Sequence, residues 1–191
     1  MFRTLKIGTA AALVATAGLL TSCLEAPDYP IEPRIDFKEL RVVRYSPGGG
    51  FIPTDTIKVT VDFTDGDGDL GLSTETGGDI NAPYNPTNPD GTYNRTTHNY
   101  FITPYVRRPP ATEFSPVILN EQGGFNSRFP KLYVEGGKPS PLKGTLTLDV
   151  VTTLGSPFRP GDEVRFEVSI MDRALHESNK ITTSSYTVQP R

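Results

Sequence analysis

Apolar and polar residues alternate one for one through three separate stretches of this chain. In DTIKVTVDF, Ile57, Val59, Val61 and Phe63 fall on one side and Lys58, Thr60 and Asp62 on the other. GTLTLDV repeats the pattern with Leu146, Leu148 and Val150, and DEVRFEVSI with Val164, Phe166, Val168 and Ile170. Strict period-two alternation predicts β-strands with one buried and one wet face. IDFKELRVV, NYFITPYV, SPVILN and ITTSSYTV carry the same pattern less cleanly. No segment beyond the N-terminal leader keeps a helical period for more than about two turns. With 18 prolines and 18 glycines punctuating the chain, about seven or eight short strands joined by turns predict an all-β, antiparallel sandwich over residues 35–191.

The first residues break this pattern. Arg3 and Lys6 precede an uncharged apolar run from Ile7 to Leu20. The run is too short for a spanning helix, which needs about 20 residues. Its layout is that of a secretory signal occupying residues 1–22. Leu20-Thr21-Ser22-Cys23 resembles the lipobox of bacterial lipoproteins. The resemblance implies cleavage before Cys23, lipid on its sulfur and acylation of its freed amine. Cys23 is the only cysteine in the chain, so an internal disulfide is excluded, and lipidation explains an otherwise leftover thiol. Two or more acyl chains suffice for stable anchoring.

Residues 23–34 place Pro27, Pro30 and Pro33 at every third position, the period of an extended polyproline II spacer. Beyond it, RPGDEVRFEVSIMD resembles the loop and sixth strand of fibronectin type III-like domains. MDRALHESNKITT is similar to the aspartate-led hairpin that closes many bacterial Ig-like domains. With no tryptophan and no second cysteine, any Ig relationship is architectural. Lipobox, proline tether, FTDGDGDLG and DRALHESN together resemble Bacteroidetes-type lipoproteins of one β domain. The resemblance implies an outer-membrane, cell-envelope location and carries no activity with it.

Without Arg3 and Lys6, 17 basic residues face 22 acidic ones. There is no basic run, so a nucleic-acid partner is not expected. Residues 76–99 are nearly devoid of apolar side chains, and a polar loop of that length is either functional or disordered. Tyr84 and Tyr93 within it offer aromatic faces for a sugar, the basis for an alternative reading as a carbohydrate-binding accessory lipoprotein.

The densest charge lies in FTDGDGDLG, with Asp65, Asp67 and Asp69 at alternate positions among glycines. Calcium takes six to eight oxygen ligands, and alternate carboxylates of a tight loop can wrap one ion. The EF-hand count fails, because Leu70 stands where glycine is required and Thr76 where a bidentate glutamate is required. In an Ig-like sandwich the loops after the second and sixth strands emerge at one end. Asp172, Glu177 and Asn179 of DRALHESN would then join Asp65, Asp67 and Asp69 around calcium. The competing reading uses the same loops without metal, with Arg173 neutralising a carboxylate and the remainder capping turns.

His98 and His176 are the only histidines, too few for a zinc or nucleophile site. No phosphate loop or nucleophile elbow is present, and a glycine-rich loop is a poor frame for paired catalytic carboxylates. The sequence therefore predicts a lipid-anchored, non-enzymatic structural or protein-binding module. Its expected partners are the membrane and an envelope protein or glycan.

Overall fold

The computed structural model describes residues 27–73, 78–119, 122–134 and 136–191. The signal segment, Cys23 and the start of the tether lie outside the described residues. The described chain is all-β, with strands β1 (Arg34–Tyr45), β2 (Thr54–Asp65), β3 (Tyr100–Arg107), β4 (Ser115–Pro116), β5 (Leu142–Thr153), β6 (Glu163–Ile170), β7 (Ile181–Thr182) and β8 (Tyr186–Thr187). A single 3₁₀ turn, Arg95–Thr97, follows the cap residue Asn94 among the described residues.

Two antiparallel sheets form the predicted sandwich. One is ordered β1-β2-β5, and the other β4-β3-β6-β7 with β8 also on β6. In chain order these strands occupy the A, B, E and C′, C, F, G places of an Ig-type sandwich. The three strongly alternating segments become β2, β5 and β6. β2 shows why: every second residue from Asp55 to Asp65 is buried. Ile57, Val59 and Val61 meet Val164, Phe166 and Val168 in the shared core.

Of the weaker segments, SPVILN and ITTSSYTV form only two-residue strands. Pro116, without an N–H, closes β4 after two residues. ITTSSYTV is split into β7 and β8 by Thr183. Its buried hydroxyl accepts from the Phe166 N–H at 3.0 Å, replacing a backbone carbonyl on the edge of β6. Ser178 makes the same substitution at the Ile170 N–H, also 3.0 Å.

β1 begins where β2 ends, with Arg34 opposite Thr64. Asn179 clamps that end by accepting from the Ile35 N–H and donating to the Ile35 carbonyl, each at 2.9 Å. The end of β6, the end of β2 and the chain leaving the tether thus meet at one pole of the sandwich.

Candidate metal centre

Period two assigns both Asp55 and Asp65 to the inward face of β2, and both are buried. Asp55 is met by a cation, its two oxygens receiving Nε and Nη2 of Arg44 at 2.7 Å each. Asp65 is met by more aspartates. The strand ends there and the chain turns tightly through Gly66 and Gly68. A Cβ at Gly66 would stand 2.2 Å from the Tyr29 carbonyl oxygen, so the loop lies directly against the tether. Gly68 has φ +74° and would place a Cβ 2.0 Å from the Ser140 oxygen, so only glycine fits. Leu70 and Leu72 then anchor the loop in the core. The Leu132 N–H donates to the Leu70 carbonyl at 3.0 Å, and the Leu72 N–H to the Phe129 carbonyl at 3.1 Å.

Asp172 arrives from the other sheet, just past β6, and is 1% exposed. His176 holds it through its backbone N–H to Oδ1 at 2.7 Å and through Nδ1 to Oδ2 at 2.8 Å. One carboxylate oxygen from each of Asp65, Asp67, Asp69 and Asp172 lies within 4.8 Å of all the others. Ligands opposed across a calcium ion stand about 4.6–5.2 Å apart, so these four aspartates form a group able to hold a metal ion.

The electrostatics match that geometry. Oδ1 atoms of Asp65, Asp67 and Asp69 are buried without a hydrogen-bond partner among the described residues. Asp65 itself is 0% exposed. A buried, unpaired carboxylate oxygen is costly, and three of them converge here. Burial first, then the Asp67, Asp69 and Asp172 charges, pushes Asp65 up to about 7. Burial, then Asp172 and Asp67, pushes Asp69 up to about 6, against the opposing pull of the Arg173 and Ala174 N–H groups. Asp172 is also raised by burial, against the opposing effect of His176. Asp65, Asp67 and Asp69 make no ion pair among the described residues.

Three expectations change at this site. Arg173 does not neutralise the aspartate loop: its Nη2 pairs with Asp79 at 2.9 Å, and its Nη1 lies 3.2 Å from the Tyr133 hydroxyl. Glu177 does not join the cluster, because Arg95 takes both of its oxygens at 3.0 and 2.8 Å. Asn179 is committed to Ile35. Within the DRALHESN hairpin only Asp172 brings a side-chain carboxylate to the aspartates, while the backbone N–H groups of Arg173 and Ala174 face Asp69.

The polar loop is folded onto the body. Arg128 donates to the carbonyls of Thr97, Ser73, Asp79 and Tyr84 at 2.9, 2.9, 2.7 and 3.2 Å. Asn94 reaches back to the Pro83 and Asn85 carbonyls at 2.8 and 2.7 Å. Tyr84 is 9% exposed, and its hydroxyl donates to the Arg173 carbonyl. Tyr93 is half-buried, with its hydroxyl 2.6 Å from His98 Nδ1. Neither ring stands clear of the domain.

Sequence reasoning missed Asp79 and Arg128, which organise this region through partners far away in the chain. It also missed a signal within reach, since the parity of β2 already turns Asp65 inward.

No protein-family model matches the chain, and no curated protein matches it significantly. Among solved structures, an X-ray structure of Northeast Structural Genomics Consortium target SoR45 aligns with 83% of this chain and 87% of its own at 7% identity. Its TM-score is 0.31, a distant all-β likeness.

Proposed function

We propose that this chain is a lipid-anchored protein of the cell envelope, a tethered β-sandwich acting as a non-enzymatic structural or protein-binding module, with calcium as the ion of the aspartate cluster. The observation that carries the calcium assignment is the meeting of four aspartates, one carboxylate oxygen of each within 4.8 Å of the others, in a group where Oδ1 of Asp65, Asp67 and Asp69 is buried without a hydrogen-bond partner among the described residues. The donor set is all oxygen, which suits a hard cation. Zinc favours nitrogen and sulfur ligands, and His176 is turned onto Asp172 outside the set. Magnesium keeps several of its waters in an octahedron, whereas calcium accepts irregular, crowded carboxylate shells. The anchor and envelope location rest on the resemblance of Leu20–Cys23 to a lipobox.

In this role the ion joins the two sheets. Asp65, Asp67 and Asp69 follow β2, and Asp172 follows β6, so a bound cation ties the ends of opposite layers beside the tether. The expected effect is stiffening of that pole.

A thermal melt of residues 24–191 in calcium and then in chelator tests the assignment. At roughly 10 mM calcium and a dissociation constant of about 0.1–1 mM, the gain is about 1.4–2.7 kcal/mol. For a domain of this size that is about 3–11 °C. An unchanged melting temperature would refute the calcium assignment. Separately, Cys23→Ser is expected to abolish incorporation of labelled palmitate and to release the protein from membranes. Retained label would refute the anchor.

A further inference from the structure

The two edges of the three-stranded sheet are treated differently. β1 has a bulge between Phe37 and Glu39, is clamped by Asn179, and near its end its own Arg44 donates to the Gln189 and Pro190 carbonyls at 2.9 and 2.6 Å. β5 has none of these features. It pairs with β2 residue for residue from Leu142 to Thr153 with no register shift. Its other side has no backbone hydrogen bond between Lys143 and Asp149 among the described residues. A long edge with regular register and unpaired backbone groups is a template for another strand, and the charges it carries, Lys143 and Asp149, decide which strand fits.

The phase of the ladder shows which groups are free. The Leu154 N–H donates to the Pro53 carbonyl at 2.9 Å, so the alternating pairs that include Val61 with Leu146 face β2. The N–H and C=O of Lys143, Thr145, Thr147 and Asp149 therefore point away from the sheet.

We infer that the occupant of this edge is a second copy of the same chain, joined β5 to β5 in antiparallel register about Leu146. The strand complements itself in that register. Lys143 falls opposite Asp149 of the second copy, a carboxylate that also takes Lys58 of its own chain at 2.6 Å, and Thr145 falls opposite Thr147, on a face where all four side chains are exposed. On the other face Leu146 meets Leu146, and Leu142 meets Val150. Leu142, Leu146 and Leu148 are only half-buried in one copy, so pairing extends the core sideways. The product is a continuous sheet with β1 at both outer edges. Its two-fold axis runs perpendicular to the sheet, so both anchors reach one membrane when the sheet lies parallel to the bilayer.

The test is sedimentation of the full-length chain in mild detergent over a concentration series. Wild type is expected to show a monomer–dimer equilibrium. Lys143→Asp sets like charges opposite each other twice and should weaken the dimer by about tenfold or more. Adding Asp149→Lys together with Lys58→Asp to that variant restores opposite pairs both between the copies and, at Lys58's cross-strand position, within each copy, and should recover the wild-type constant to within about threefold. A second variant fixes the register. Leu146→Cys in a Cys23→Ser chain puts one thiol on the axis, where facing Cα atoms stand about 4.5 Å apart, within disulfide range. It should form a disulfide dimer on mild oxidation, while Thr60→Cys on the central strand should not. A wild-type monomer at every concentration, or a dimer that neither the charge swap nor the cysteine reports, overturns the inference.

Discussion

Asp55 and Asp65 are inward-facing residues of the same strand, each at one end of β2, and the chain treats them in opposite ways. Asp55 is buried against Arg44, whose side chain is itself only 21% exposed. Removing one partner of a buried pair leaves the other uncompensated, so Arg44→Met should cost about 3 kcal/mol in chemical denaturation. Lys58→Met, which breaks the exposed pair with Asp149, should cost less than about 1 kcal/mol. Equal losses would show that burial does not set the value of these pairs.

At Asp65, where other aspartates stand in place of a basic side chain, the sign of the predictions depends on the solution. In chelator, Asp67→Asn removes repulsion and should raise the melting temperature by a few degrees. In calcium the same variant loses a ligand and should gain nothing from the ion. A variant destabilised in both solutions would indicate a structural rather than a ligating carboxylate. The pH dependence follows from the same charges. Without the ion, Asp65 titrates at about 7 and Asp69 at about 6, both above the ordinary value of 3.8. Between those limits the folded chain retains protons that the unfolded chain has released, so this contribution to stability falls as pH rises. Melting in chelator should therefore improve on acidification from about pH 7.5 to about pH 5.5. Saturating calcium, which displaces those protons, should remove that gain.

At the scale of elements, much of the fold was legible because period two is a local signal. β2, β5 and β6 each carry it without a break, and one inward face per strand is enough to require two layers. The division of ITTSSYTV was not legible, because it depends on the Thr183 hydroxyl standing in for a carbonyl opposite Phe166. The order of the 78–99 region was hidden for a similar reason. Arg128 reaches it from 49 residues beyond Asp79, and no short window contains both. Of the site, the three alternating aspartates were visible and their meeting with Asp172 followed from strand order. That Arg173 would turn to Asp79 depended on a side-chain position set by the whole fold. Arg128→Ala removes four carbonyl partners at once. It should bring the amides of 78–99 to near-unprotected hydrogen exchange while β2 and β6 keep their protection. Equal loss across the whole domain would show that this loop is not a separate unit.

At the scale of the molecule, the aspartate cluster, the Asn179 clamp and the tether share one pole, while the β1–β2 hairpin lies at the other. The hairpin exposes Phe51 and Ile52 at 71% and 58%, the end farthest from the tether. A cation at that first pole would tie the two sheets where the chain enters β1, and the edge of β5 would remain free along the side for a second copy. Calorimetric titration of residues 24–191 with calcium, beside Asp65→Asn, tests for that cation most directly. One ion per chain with a dissociation constant of about 0.1–1 mM, and no binding heat for Asp65→Asn, is the predicted result. No heat for the wild-type chain up to about 10 mM calcium, or equal heats for both proteins, would contradict it.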